Sequence, residues 1–204
     1  MSATIRPTWV HATILGTFCA GFGVLLAATD IVTKEPIQDR ALEDKMASLA
    51  LVIPKSIHDN NPVTDAITLP NPGGHEATTV YRAMMGGKPT GYAYEYTANG
   101  GYGGPIKLML GIDATGKLLG VRVISHKETP GLGDKIDAAK TDWITRFTGL
   151  SLGNPPVEKW KVKKDGGQFD QFSGATITPR AVVGGIRSGL EYFTANKSRM
   201  MEKQ

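Results

Sequence analysis

IKLMLGIDATGKLLGVRVIS, residues 106–125, decides the fold. Its two halves, Ile106 to Asp113 and Lys117 to Ser125, alternate in the manner of half-buried strands, and DATG at Asp113 to Gly116 separates them. A connection that short makes a hairpin, so the two strands pair antiparallel. Upstream, TTVYRAMM (Thr78 to Met85) and GYAYEYTA (Gly91 to Ala98) repeat the pattern on either side of GGKPTG. Downstream, a shorter strand is expected at VEKWKVKK, Val157 to Lys164, before the turn DGG.

Helical periodicity is expected over Asp134 to Phe147 and from Pro179 to about Ala195. In the second segment Val182, Val183, Ile186, Leu190 and Phe193 share one face, which is a core pattern. Gly184, Gly185 and Gly189 each cost such a helix about 1 kcal/mol against alanine, so close packing against a sheet or a neighbouring backbone is expected in return. The fold class is α+β: a mainly antiparallel sheet with flanking helices.

An N-terminal transmembrane helix precedes it. WVHATILGTFCAGFGVLLAA, Trp9 to Ala28, supplies about the 20 residues that a bilayer core demands. A cleaved signal peptide competes with a retained anchor, but its apolar region would be unusually long, and a cut after Ala28 would leave Leu26 where a small residue is preferred. Arg6 on the short side and the mixed flank Asp30, Lys34, Glu35 and Asp39 on the other place the C-terminal bulk outside the cytoplasm. Beyond the anchor, Ile37, Ala41, Leu42, Leu49 and Val52 are spaced as in an amphipathic helix ending before Pro54, and DNNP (59–62) and LPNPGG (69–74) are turn-rich.

Composition narrows the chemistry. The chain has 204 residues, one domain's worth with an appended segment, and 23 basic against 19 acidic residues without a dense basic face, which argues against nucleic acid. A single Cys19 excludes an intrachain disulfide, a CxxC pair and a Cys-ligated iron–sulfur cluster within this chain. His11, His58, His75 and His126 have no shared ligand spacing, so no metal site is expected.

Two stretches remain. SHKETPGLGDKI, Ser125 to Ile136, follows a strand with Pro130, Gly131 and Gly133; it reads as a strand-to-helix turn or as backbone open to a flat ligand or phosphate. DQFSGATITPR, Asp170 to Arg180, puts three hydroxyls ahead of the last helix. Thr178 before Pro179 fits a helix cap, and capping needs only one hydroxyl.

The segment DQFSGAT resembles the flavinylation signature of the FMN-binding domains in the Rnf and Nqr membrane complexes: Asp170, two variable residues, then Ser173, Gly174, Ala175 and Thr176. With KETPGLGDKI, GYGGPIKLMLGID (101–113), the chain length and the single anchor, the chain resembles the G component of the Rnf complex over essentially its whole length. The C component of Nqr shares the acceptor motif but is typically longer. The resemblance implies FMN joined by a phosphoester to the Thr176 hydroxyl, attached by a separate flavin transferase that uses FAD. Cofactor contacts are then expected from Asp170, Ser173, Gly174 and Ala175, with the loop Glu128, Thr129, Pro130, Gly131 and Leu132 against the ring and Thr129 as its hydrogen-bonding side chain.

It also implies an electron-relaying subunit of an ion-translocating ferredoxin:NAD oxidoreductase, without a complete active site of its own and working beside other integral-membrane subunits. A membrane-tethered flavin-binding or redox-sensing module outside a pump, an Nqr-type C component, and an exported solute-binding domain without cofactor are the alternatives. The expected division is a short cytoplasmic N-terminus (1–8), a single-pass anchor in a bacterial inner membrane (9–29), an amphipathic helix and linker (30–75), a periplasmic FMN-binding domain (76–196) and a polar tail (197–204).

Overall fold

The computed structural model describes residues 8–70 and 77–202, in two compact units, 1–44 and 45–204. Arg6 and the rest of the short N-terminal segment, most of the turn-rich stretch expected at 69–74, His75 and the last two residues of the tail lie outside the described residues.

Helix α1 runs from Thr8 to Ala50, about 65 Å at 1.5 Å per residue. Its stretch Trp9–Lys34 is long and apolar enough to cross a membrane, and Trp9, Leu15, Phe18, Phe22, Leu25 and Leu26 are all exposed. The hydroxyls of Thr13, Thr17 and Thr29 bond back to the carbonyls of Trp9, Thr13 and Leu25, which satisfies them without water. The helix continues without a break from the apolar stretch into the segment expected as an amphipathic helix, and Thr33 bonds back to Thr29 in the same way.

The second unit is built on a five-stranded antiparallel meander in the order β1-β2-β3-β4-β5. The strands are β1 (Ala66–Leu69), β2 (Thr78–Met85), β3 (Lys88–Ala98), β4 (Ile106–Asp113) and β5 (Leu118–Ser125). The 106–125 hairpin forms as its sequence dictates, with Gly111 opposite Gly120 and Ile112 opposite Leu118. Edge strand β1 carries no readable signal in the sequence; four residues are too few for a period.

Both sheet faces are covered. Helix α2 (Ile177–Met201) lays Val182, Ile186, Leu190 and Phe193 on one face, over Tyr92, Tyr94, Leu108 and Leu110. Leu49, Val52 and Ile53 pack on the other against Tyr81, Ala83, Ala93 and Met109. A side chain at Gly111 would collide with the Val52 carbonyl, since its Cβ would lie 2.1 Å from that oxygen.

Three expectations are corrected. The helix expected over 134–147 is two 3-10 turns, Gly133–Ile136 and Trp143–Phe147, because Thr141 interrupts it: its hydroxyl donates to the Lys135 carbonyl and accepts from the Trp143 amide. The strand expected at 157–164 is likewise two 3-10 turns, Val157–Lys159 and Lys163–Asp165, with only Val162 bridging to Phe169. What organises this irregular region is an aromatic cluster in which Trp143, Phe147, Trp160, Phe169 and Phe172 lie in a chain of ring contacts at 4.7–6.2 Å. The last helix, expected to end near Ala195, runs on to Met201 and buries Met200.

Candidate functional site

The hydroxyl-rich motif is held at its first residue. The backbone carbonyl of Asp170 accepts from the Trp143 indole at 2.9 Å, and its carboxylate meets Lys163 at 2.6 Å and Arg146 at 3.4 Å. The hydrogen bond from Lys163, chiefly, keeps that carboxyl below its usual range. Phe172 then anchors the chain in the aromatic cluster, 5.1 Å from Trp143.

From Phe172 the chain makes a tight turn. The Ala175 amide donates to the Phe172 carbonyl at 3.1 Å, with Ser173 and Gly174 exposed at the tip. Gly174 has φ +80°, the value demanded at the third position of a type II turn and one that disfavours any side chain. The SGA core of the motif is therefore a turn specification before it is anything else.

Thr176 follows, half-buried, at the N-cap of α2. Its backbone is already helical (φ −72°, ψ −28°), and its hydroxyl makes no capping hydrogen bond. Thr178, expected to cap, sits inside the first turn and is 1 % exposed. Its hydroxyl donates instead to the Glu128 carboxylate. Pro179 is tolerated at the third helical position because its missing amide is one of those the first turn leaves unpaired.

The second motif makes a matching turn. The Thr129 carbonyl accepts from the amides of Leu132 and Gly133 at 3.2 and 3.0 Å, and Pro130 and Gly131 (φ +77°) fill the middle as a type II turn prescribes. The two turns touch: a Cβ at Gly174 would stand 3.6 Å from Cδ2 of Leu132. Thr129, Pro130, Gly131 and Leu132 are exposed beside the motif, free to meet a ligand. Glu128 is not. The residue is 5 % exposed, and its carboxylate turns inward toward Tyr102, Gly103 and Thr178. Upstream, His126 accepts the Glu128 amide on Nδ1 at 3.0 Å and faces Asp137 with Nε2 at 3.0 Å, the geometry of the Nε2–H tautomer.

A third turn joins them. Gly104 donates to the Gly101 carbonyl at 3.3 Å, and the amides of Tyr102 and Gly103 donate to Glu128 at 3.3 and 2.9 Å. Tyr102 itself is 72 % exposed. The sequence gives GYGG no role on its own; an aromatic residue fenced by glycines is the signal that could have found it. Leu132, Tyr102 and Ile177 thus leave apolar side chains in solvent on the three segments that meet around the start of α2.

Comparison with known proteins identifies the family. Residues 101–191 match the family model described as FMN-binding domain, a span containing all three turns. A protein from Cereibacter sphaeroides, named as the G subunit of an ion-translocating oxidoreductase complex, is 47% identical over 192 residues, covering 94% of this chain and 87% of that protein. Proteins of the same name from Stutzerimonas stutzeri (45% over 194 residues, 95% and 84% of the two chains) and Pseudomonas aeruginosa (41% over 204 residues, 98% and 95%) align as extensively. The similarity runs through the apolar helix and the sheet domain alike, and the chain belongs to the G-subunit family of ion-translocating oxidoreductase complexes.

Proposed function

We propose that the chain carries FMN as a phosphoester on the Thr176 hydroxyl and relays electrons within an Rnf-type ferredoxin:NAD oxidoreductase that couples the flow to ion transport. Helix α1 anchors it in a bacterial inner membrane, N-terminus in the cytoplasm and sheet domain in the periplasm. The observation that carries this reading is the hydroxyl of Thr176, which stands at a helix N-cap yet makes no capping bond.

The surrounding residues fit a phosphate there. The amides of Ile177 and Thr178 belong to the unpaired first turn of α2, where the helix dipole places about half a positive charge. An anion at that position gains about 0.3–1 kcal/mol from the dipole. Gly174 removes bulk from the approach to Thr176, and Ser173 and Ala175 complete the turn that presents it. A threonine hydroxyl is a weak nucleophile without a base. Attachment therefore falls to a flavin transferase: the Thr176 oxygen forms a bond to the FMN phosphorus of FAD, the bond from that phosphorus to the bridging oxygen breaks, AMP leaves, and the hydroxyl proton passes to a base of the transferase.

When bound, FMN supplies reversible uptake of one or two electrons. The chain's own part is to hold and cover it. The Thr129 hydroxyl can hydrogen-bond a ring edge, while Pro130, Leu132 and Tyr102 shield an apolar face from water. Asp170, paired with Lys163 and Arg146, holds the motif's entry.

The test is denaturing electrophoresis with in-gel flavin fluorescence, on protein exported from a host with an active flavin transferase. A fluorescent wild-type band and a dark Thr176→Ala band are expected, with both proteins folded. A dark wild-type band beside a labelled control substrate of the same transferase would return the motif to a turn and helix start. Copurification of multispanning membrane subunits tests membership of a pump against a free-standing redox module.

A further inference from the structure

We infer that Glu128 is a positioning residue for flavin attachment: its buried carboxylate ties the Gly101–Gly104 turn and the first turn of α2 to one point, and so fixes where the Thr176 hydroxyl stands. The inference rests on Thr176 being the acceptor.

Two carboxylates are buried among the described residues, Asp134 and Glu128. Asp134 lies 3.8 Å from Lys140. Glu128 instead collects three neutral donors, the Thr178 hydroxyl and the amides of Tyr102 and Gly103, and Thr178 and Tyr102 share the same oxygen, Oε2. Burying a carboxylate is costly, and hydrogen bonds from neutral donors recover the cost only if several converge. A residue serving packing alone would be apolar.

The surroundings are shaped for that carboxylate. A Cβ on Gly101 would lie 2.7 Å from Oε1 of Glu128, and one on Gly133 would lie 2.8 Å from the Thr178 hydroxyl oxygen and 3.0 Å from Oε2. Glycines on both sides thus clear the space in which the three segments meet. Thr178 is two residues beyond Thr176, so holding its side chain fixes the rotation of the first helical turn about its axis. At the other end, Trp143 and Lys163 hold Asp170. Thr176 is suspended between these two anchors.

Replacement of Glu128 by glutamine keeps the shape but puts an NH2 group at one oxygen position. At Oε1 it faces the Gly103 amide, and at Oε2 the Tyr102 amide, so one backbone donor loses its partner in either orientation. Thr178→Val removes the hydroxyl at nearly constant volume, and Thr178→Ser restores it.

The experiment uses the full chain in detergent, purified flavin-free, with purified flavin transferase and FAD. Initial attachment rates are read from in-gel fluorescence, and amide hydrogen exchange of segments 99–105 and 172–181 is read by mass spectrometry on the same flavin-free proteins. Glu128→Gln and Thr178→Val are expected to attach flavin at least tenfold more slowly and to exchange faster in both segments, with buried-tryptophan fluorescence unchanged. Thr178→Ser is expected within twofold of wild type. Wild-type rates in both variants, or unchanged exchange at 99–105 in a folded Glu128→Gln, would overturn the inference. Thr178→Val decides the question alone if Glu128→Gln fails to fold. A wild type left unlabelled, beside a control substrate that labels, would refute the Thr176 reading and the positioning role with it; a labelled wild type with equally labelled variants would refute only the latter.

Discussion

Gly185 lies where α2 crosses the end of β3, and replacing it with alanine sets two known quantities against each other. A Cβ built there would lie 2.3 Å from Cβ and 3.0 Å from Cα of Ala98, and 3.4 Å from Cδ1 of Leu108. Ordinary carbon contacts need about 3.5–4.0 Å, so the helix must lift by more than about 1 Å. Neither Ala98 atom belongs to a flexible side-chain end that could swing aside. Alanine gains about 1 kcal/mol over glycine in a helix interior, whereas overpacking a core costs about 1–3 kcal/mol, near the upper end against a rigid neighbour. The net is a loss of about 1–2 kcal/mol. Gly184, the adjacent residue, is exposed, and a Cβ there meets nothing within 4 Å, so Gly184→Ala keeps the propensity gain of up to about 1 kcal/mol. The two variants should therefore differ by about 2–3 kcal/mol, or about 4–12 °C in Tm at 2–4 °C per kcal/mol. Thermal unfolding of the full chain in detergent, followed by the fluorescence of buried Trp143 and Trp160, measures it. Adding Ala98→Gly to Gly185→Ala should recover part of the loss. A Gly185→Ala melting temperature equal to or above that of Gly184→Ala would refute the packing argument.

Trp143→Phe keeps a ring in the aromatic cluster but removes the indole donor to the Asp170 carbonyl, and should lower stability by about 1 kcal/mol, seen as a lower urea midpoint at unchanged slope. Stability should also fall in acid. Hydrogen bonding from Arg180 lowers the Asp165 pKa and from Lys163 that of Asp170; at Asp113 burial acts upward, but the Thr115 hydroxyl and the amides of Lys117, Thr115 and Gly116 outweigh it. Carboxyls depressed in the folded state contribute fully above their unfolded pKa of about 3.9, and the contribution is lost as pH falls through the folded values. A Tm profile flat above about pH 5 and falling below about pH 4 is expected, with the fall shallower in high salt because the Asp165 and Asp170 pairs are exposed; a flat profile down to pH 2 would contradict it.

The central hairpin was legible because strand alternation and a four-residue turn are local signals, and α2 because its apolar face repeats with the helical period. The irregular region from 133 to 176 was not. Its helix and strand expectations rested on Trp143, Phe147, Trp160 and Val162, which are apolar because they build one aromatic cluster across several short segments, a relation with no period to read. The break at Thr141 depends on a side-chain hydroxyl bonding its own backbone six residues back and two ahead, and propensity does not register such a bond. The family was legible by resemblance, but the partner of Thr178 was not, since Glu128 lies fifty residues earlier in the chain.

The three hydroxyls around the start of α2 separate by environment. Ser173 is exposed at the tip of a turn, three residues before the N-cap Thr176. Thr178 is buried and its proton is committed to a carboxylate, so a phosphate on its oxygen would need both that bond and the surrounding packing to give way. Thr176 alone combines partial exposure, an uncommitted hydroxyl and the positive end of a helix. On the proposed reading, the choice of acceptor follows from position rather than from residue type. It also requires that position be held, because a rotation of the first turn by one residue, about 100° about the helix axis, would exchange the environments of neighbouring side chains. A buried carboxylate bonded to the second residue of that turn is a direct means of preventing such a rotation, and its cost in desolvation is what a purely structural helix start would have no reason to bear.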